Sequence, residues 1–128
     1  MPLYGNELGP DLTPYEAGLG RVVRLDKPGD FVGRAALAAR AAAGPSQVLV
    51  GLLVQSRRVP RHGYPVLSGT SEVGVVTSGG PSPSLGAPIA MAYVAADADS
   101  GPFSIDVRGR AEPAAVTELP FYDRRQRR

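Results

Sequence analysis

The 128-residue sequence contains no cysteine, no tryptophan and a single histidine, His62. Without cysteine there is no disulfide framework, no thiolate metal ligand and no thiol nucleophile, and the absence fits a reducing, cytoplasmic setting. A lone histidine is a poor basis for a Ser–His pair or a multi-histidine metal site. No apolar run reaches the roughly 18 residues that a membrane-spanning helix needs. The N-terminus, Met1-Pro2-Leu3-Tyr4-Gly5-Asn6, carries neither the basic stretch nor the apolar core of a secretory signal. Charge of either sign is modest, with 14 Lys and Arg against 12 Asp and Glu. The pI of about 9.3 invites a nucleic-acid reading. However, the last eight residues hold four arginines against Asp123, which leaves the rest of the chain slightly acidic. A basic tail on a near-neutral body is not a basic face, and eight aromatics in all are few for base stacking. The sequence therefore predicts neither nucleic-acid nor membrane partners, no metal and no catalytic residue.

Glycine and proline, by contrast, are plentiful at 16 and 13. They predict many short elements joined by turns. Met1–Leu12 reads as extended or looped. Thr13-Pro14-Tyr15-Glu16 is a capping box, so Glu16 reads as a partner of Thr13 rather than as a catalytic carboxylate. Arg21–Leu25 reads as a strand. Asp30 to about Ala43 reads as a helix, with Asp30 as N-cap, seven alanines from Ala35 on, and Gly44-Pro45 as its stop. The thin apolar side of that helix predicts a surface position. From Gln47 the pattern changes. Gln47–Val54 is apolar on both faces, which predicts burial on both sides or a sheet closing on itself. Val66-Leu67, Glu72–Thr77, Ala87–Val94, Phe103–Arg108 and Ala111–Leu119 supply further strands, and Pro113 predicts an edge or a bulge in the last. Between the third and fourth strands, Gly74–Gly86 reads as a long Gly/Ser/Pro loop. The predicted fold is mainly β: a small antiparallel six-stranded barrel with an N-terminal extended segment and one bridging helix.

Eight segments, in order along the chain, carry a family resemblance. They are Pro2–Leu8, Thr13–Gly20, Leu25–Lys27, Asp30–Leu37, Val59–Val66, Val73–Gly79, Ser82–Gly86 and Leu119–Tyr122. Together they resemble the C-terminal third of the aminomethyltransferases, the T-proteins of the glycine cleavage system. In that family an aminomethyl group on the lipoyl arm of H-protein gives its methylene to tetrahydrofolate, with release of ammonia. The resemblance implies three regions. Residues 1–45 would be the tail end of a folate-binding body, with the helix at about 30–43. Residues 46–122 would be the C-terminal β-barrel domain, and 123–128 a basic tail.

The family's catalytic aspartate and its pterin-gripping residues belong to an N-terminal part with no counterpart here. The chain is therefore expected to be the C-terminal part or a split subunit of the enzyme, inactive alone. Its expected partners are an N-terminal T-protein-like chain, or a second copy by self-association, and the lipoyl carrier H-protein. The alternative is a non-catalytic barrel that docks a partner protein. The implied tetrahydrofolate-binding residues are Asn6 and Glu7 near the pocket, Arg61 and Tyr64 in the Pro60–Pro65 turn, Ser78, and Arg124 and Arg125 near the end. Arg61 stands equally as a fork for a folate carboxylate or as a salt bridge pinning its loop. Asn6 and Glu7 also read as a turn closed by an Asx-type bond, Tyr64 as core with its hydroxyl at the rim, and the arginines as a solvated tail.

Overall fold

Alternating Val, Leu, Ile and Ala side chains drive six strands to share one interior: β1 Gln47–Val54, β2 Pro65–Ser68, β3 Ser71–Ser82, β4 Ala87–Ala95, β5 Phe103–Asp106 and β6 Ala111–Thr117. The computed structural model describes residues 2–98 and 101–122. The basic tail, with Arg124 and Arg125, lies outside them. Every strand pairing is antiparallel, in the order β1-β4-β3-β2-β5-β6, and β6 returns to β1 to close a barrel. Val50, Leu52 and Val54 of β1 point inward and meet Val66, Val76, Val94 and Ile105. The outer face of β1 is covered as well. A Cβ added at Gly51 would stand 2.9 Å from Leu119 Cδ2 and 3.1 Å from Phe121 Cε1, so the segment after β6 lies across it. Double burial of β1 and closure of the sheet thus both occur.

Three expectations are corrected. The Gly/Ser/Pro loop is mostly strand: β3 runs through it to Ser82, and only Pro83–Gly86 is left to turn. The ladder needs backbone groups rather than large side chains, and Gly79↔Ala90, Gly80↔Ile89 and Ser82↔Ala87 supply them. Gly79 has a steric reason too, because a Cβ there would sit 2.6 Å from the carbonyl oxygen of Pro60. Arg21–Leu25 is not a strand. Gly20–Val22 forms a 3-10 turn, since the six barrel strands already use each other's edges. The helix α1 starts later, at Arg34, and runs to Ala43. Gly33, in the left-handed region at φ 88°, precedes it, while Asp30 accepts from Phe31 N–H at 2.9 Å within a turn. No residue of α1 is buried. Pro113 pairs with Ser104 of β5, one residue before β6 meets β1 at Ala114, and on the β1 side its carbonyl accepts from Gln55 N–H at 2.9 Å just past the end of β1, a contact that needs no N–H from Pro113.

Two seams tie the N-terminal segment to the barrel. Tyr93, on the outer face of β4, is buried and donates to the carbonyl of Glu7 at 2.7 Å. In the second seam, Leu49 N–H of β1 donates to the Glu16 carbonyl at 2.9 Å. The Glu16 side chain accepts from Thr13 N–H at 2.8 Å, from Thr13 Oγ1 at 2.8 Å and from Gln47 Nε2 at 3.3 Å. The reciprocal Glu16 N–H···Thr13 Oγ1 contact is 3.3 Å, so the capping box forms, although it closes a single turn rather than a helix. Burial pushes the Glu16 carboxyl up, but the Thr13 and Gln47 hydrogen bonds and the charge of Arg40 outweigh it and hold the group below its ordinary value. Among the described residues no helix is long and apolar enough to cross a membrane.

These seams give three expected outcomes. Tyr93→Phe leaves a buried carbonyl without its donor and should cost about 1–2 kcal/mol in urea unfolding. Burial, reinforced by the charges of Glu16 and Glu7, pushes the Tyr93 phenol up to about 12. A raised value means that the contribution is complete below the ordinary phenol pKa of about 10 and is lost as pH rises beyond it. Wild type and Tyr93→Phe should therefore converge in alkaline solution, and a constant gap would contradict the assignment. Glu16→Gln should melt lower by the equivalent of about 1 kcal/mol at neutral pH. Because the Glu16 value is lowered, that gap should close as pH falls through the carboxylate range. Gly79→Ala forces a methyl group against backbone and should destabilise by about 2–4 kcal/mol, read from the urea midpoint.

Candidate ligand-binding site

The β1–β2 connection (residues 55–64) and the β5–β6 hairpin turn (residues 107–110) leave the barrel at the same end. Val54 at the close of β1 pairs with Ala114 of β6, and Val66 near the start of β2 pairs with Ile105 of β5. Arg61 and Tyr64 meet here. With Arg58, Val59, Val107 and Arg108 they line a pocket of about 230 Å³. The connection is held against β3 by backbone bonds: Gly63 N–H to Val76 O at 2.8 Å and Val76 N–H to Tyr64 O at 2.9 Å. His62 adds a contact of 2.8 Å between Nδ1 and the Thr77 carbonyl. A carbonyl only accepts, so Nδ1 carries the proton. Thr77 sits at a bulge in β3, where its hydroxyl donates to Met91 O at 3.0 Å. The pocket wall is therefore a braced turn.

The salt bridge that pins this loop belongs to Arg58, whose Nε lies 2.9 Å from Glu112 Oε1. Among the described residues no carboxylate is within ion-pair distance of Arg61.

The other candidates stand apart. Glu7 closes the turn at Leu3–Leu8: its Oε2 accepts from Leu3 N–H at 2.9 Å, and the N–H groups of Asn6, Glu7 and Leu8 converge on Leu3 O at 3.2, 2.9 and 3.1 Å. The turn bond is thus made by Glu7, while Asn6 is exposed. Glu7 is fully buried at 0% exposure, and its Oε1 has no hydrogen-bond partner. An unpartnered carboxylate oxygen in a buried position is costly and marks a place where a donor is missing. Ser78 lines a different groove, of about 230 Å³, with Pro81, Ile89, Met91 and Phe121. Arg124 and Arg125 fall outside the described residues. Among the described residues no group of three or more His, Asp or Glu could hold a metal ion.

Sequence reasoning missed Arg58, Arg108, Glu112 and Tyr93. The first three are joined only by barrel topology. Tyr93 did carry a signal, since a tyrosine on the outer face of an otherwise apolar strand implies that something covers it.

Comparison with known proteins agrees with this architecture. Residues 47–123 match the family model of the glycine cleavage T-protein C-terminal barrel domain. An aminomethyltransferase of Saccharopolyspora erythraea is 61% identical over 127 residues, covering 97% of this chain and 35% of that protein. One from Streptomyces coelicolor is 59% identical over 133 residues, covering 98% and 36%. The crystal structure of glycine cleavage system aminomethyltransferase T from Bartonella henselae superposes with a TM-score of 0.86 at 34% identity, over 95% of this chain and 35% of that one. The chain thus spans about a third of the length of the relatives it matches. With the closed six-stranded barrel, the match over 47–123 shows that this chain belongs to the glycine cleavage T-protein C-terminal barrel domain family.

Proposed function

We propose that the chain acts as the C-terminal part, or a split subunit, of a tetrahydrofolate-dependent aminomethyltransferase, inactive alone and completed by an N-terminal T-protein-like chain. The observation that carries this reading is the unfinished packing of residues 2–45. α1 buries none of its side chains, and Leu3, Tyr4, Val22 and Val32 are exposed, Tyr4 to 78%. A helix of ten residues is marginal in water without tertiary packing. Exposed large apolar side chains beside a helix that buries nothing suit an interaction face. In the Bartonella henselae aminomethyltransferase T the matching segment is 35% of the chain, which leaves about two-thirds of that protein to cover such a face.

The residues fit tetrahydrofolate in part. Arg61 and Tyr64 would hold a carboxylate end of the cofactor, and the free Oε1 of Glu7 would take a hydrogen bond from an N–H of the cofactor or of the completing chain. Asn6 and Ser78, which stand apart from that pocket, are proposed as further cofactor contacts, as are Arg124 and Arg125. The cofactor, when bound, supplies the nitrogen atoms that accept the one-carbon unit. This chain's own residues bind and orient it. The transfer also needs a general acid or base, which the completing chain would provide. The lipoyl carrier H-protein would dock on the assembled enzyme, in the cytoplasm.

The test is reconstitution. Mixed with the N-terminal two-thirds of a related aminomethyltransferase, the chain should form a stable complex in light scattering and restore folate-dependent methylene transfer. Val32→Asp should abolish the complex and leave the circular dichroism of the barrel unchanged. Absence of both complex and activity would sink the proposal; a complex without transfer would favour the non-catalytic docking module.

A further inference from the structure

The five lysine or arginine positions between 47 and 122 are all arginines in two loops: Arg57, Arg58 and Arg61 before β2, and Arg108 and Arg110 before β6. Pairing of β1 with β6 and of β2 with β5 sets both loops at one end of the barrel. Glu72 at the start of β3, and Asp97 and Glu118 after β4 and β6, fall toward the other end, while Asp106 and Glu112 share the basic end, Glu112 paired with Arg58. The fold therefore sorts charge that looks evenly mixed along the chain.

Within the basic end the arginines differ. Arg58 is neutralised by Glu112 at 2.9 Å, but among the described residues no carboxylate is within ion-pair distance of Arg61 or Arg108, and both line the pocket. Arg108 also has φ of 56°, in the left-handed region that disfavours a residue with a Cβ. Its turn is firmly held, with Gly109 N–H donating to Asp106 Oδ1 at 2.6 Å and Val107 N–H to Arg110 O at 2.8 Å. Glycine would suit position 108 better on backbone grounds. A strained arginine with no ion-pair partner among the described residues, lining a pocket beside a second such arginine, is the pattern of a ligand site.

We infer that this pocket binds a compact oxyanion, a carboxylate or phosphate, either free or as the pendant end of a larger ligand. Two guanidinium groups offer paired N–H donors to such a group. Val59 and Val107 form apolar walls beside them, which suits a short methylene stem. The inference rests on charge sorting and backbone strain, and it coincides with the folate reading of Arg61 only if the pendant group is a folate glutamyl carboxylate.

The test titrates the 128-residue protein with inorganic phosphate, with citrate and with a glutamyl-bearing folate, following arginine Nε–H resonances and heat. Saturable shifts confined to Arg61 and Arg108, weakening with salt, are expected. Arg108→Gly suits its backbone and should stay folded, yet bind about tenfold more weakly, as should Arg61→Gln. Arg57→Gln, on the same end but not lining the pocket, should bind like wild type. Binding of phosphate and citrate but not of the folate upholds the pocket as a free-anion site and removes the folate reading of Arg61. Binding of the folate through the same two resonances identifies the pendant source. No saturable shift with any of the three, or undiminished affinity in Arg108→Gly, overturns the inference.

Discussion

β1 has no free side. Its inner residues fill the core, one edge pairs with β4 and the other with β6, and its outer face at Gly51 lies under Leu119 and Phe121. Closing the sheet removes the unpaired strand edges that would otherwise need protection. It also fixes where each connection leaves the barrel. The braced Pro60–Tyr64 turn, the Arg108 hairpin and the pocket between them follow from the pairing of β1 with β6 and of β2 with β5. Gly79 serves the same arrangement from β3, because it lets the Pro60 carbonyl approach the strand.

The N-terminal third is a different physical object. It has no sheet of its own and is attached to the barrel by a few directed hydrogen bonds, chiefly Tyr93 to Glu7 and Leu49 to Glu16. Those bonds orient it but leave Leu3, Tyr4, Val22 and Val32 exposed. A segment that is positioned yet incompletely packed is what an interface with more protein requires. The fully buried Glu7 oxygen without a donor is a polar sign of the same incompleteness.

The barrel was legible where side-chain pattern and backbone role coincide. Gln47–Val54 announced burial on both faces or closure of the sheet, and Phe103–Arg108 alternated cleanly, although the strand itself ends at Asp106. Thr13 and Glu16 announced their reciprocal bonds, and Gly18 and Gly20 announced the early end of the turn. The Gly/Ser/Pro stretch misled because composition reports on side chains, while a ladder is built from N–H and C=O groups that glycine also carries. Arg21–Leu25 has strand-forming residues, but propensity gives no partner, and none was available. The basic end was invisible for a topological reason. Arg61 and Arg108 are far apart in sequence, and net charge carries no information about which loops share an end. Of the candidates within the described residues, Arg61 and Tyr64 converge, whereas Asn6, Glu7 and Ser78 sit elsewhere.

The place of β6 in the ring also bears on how the domain is made. β1 is the first barrel strand to leave the ribosome and β6 the last, and each is the other's neighbour. Until Ala111–Thr117 emerges, β1 and β5 each present an open edge, and the Leu119–Phe121 cover over Gly51 arrives later still. Non-local closure of this kind is slow and leaves edges exposed while it waits. A nascent chain stalled before β6 would therefore hold five strands with two sticky margins. Closure of this barrel thus waits on residues 111–121.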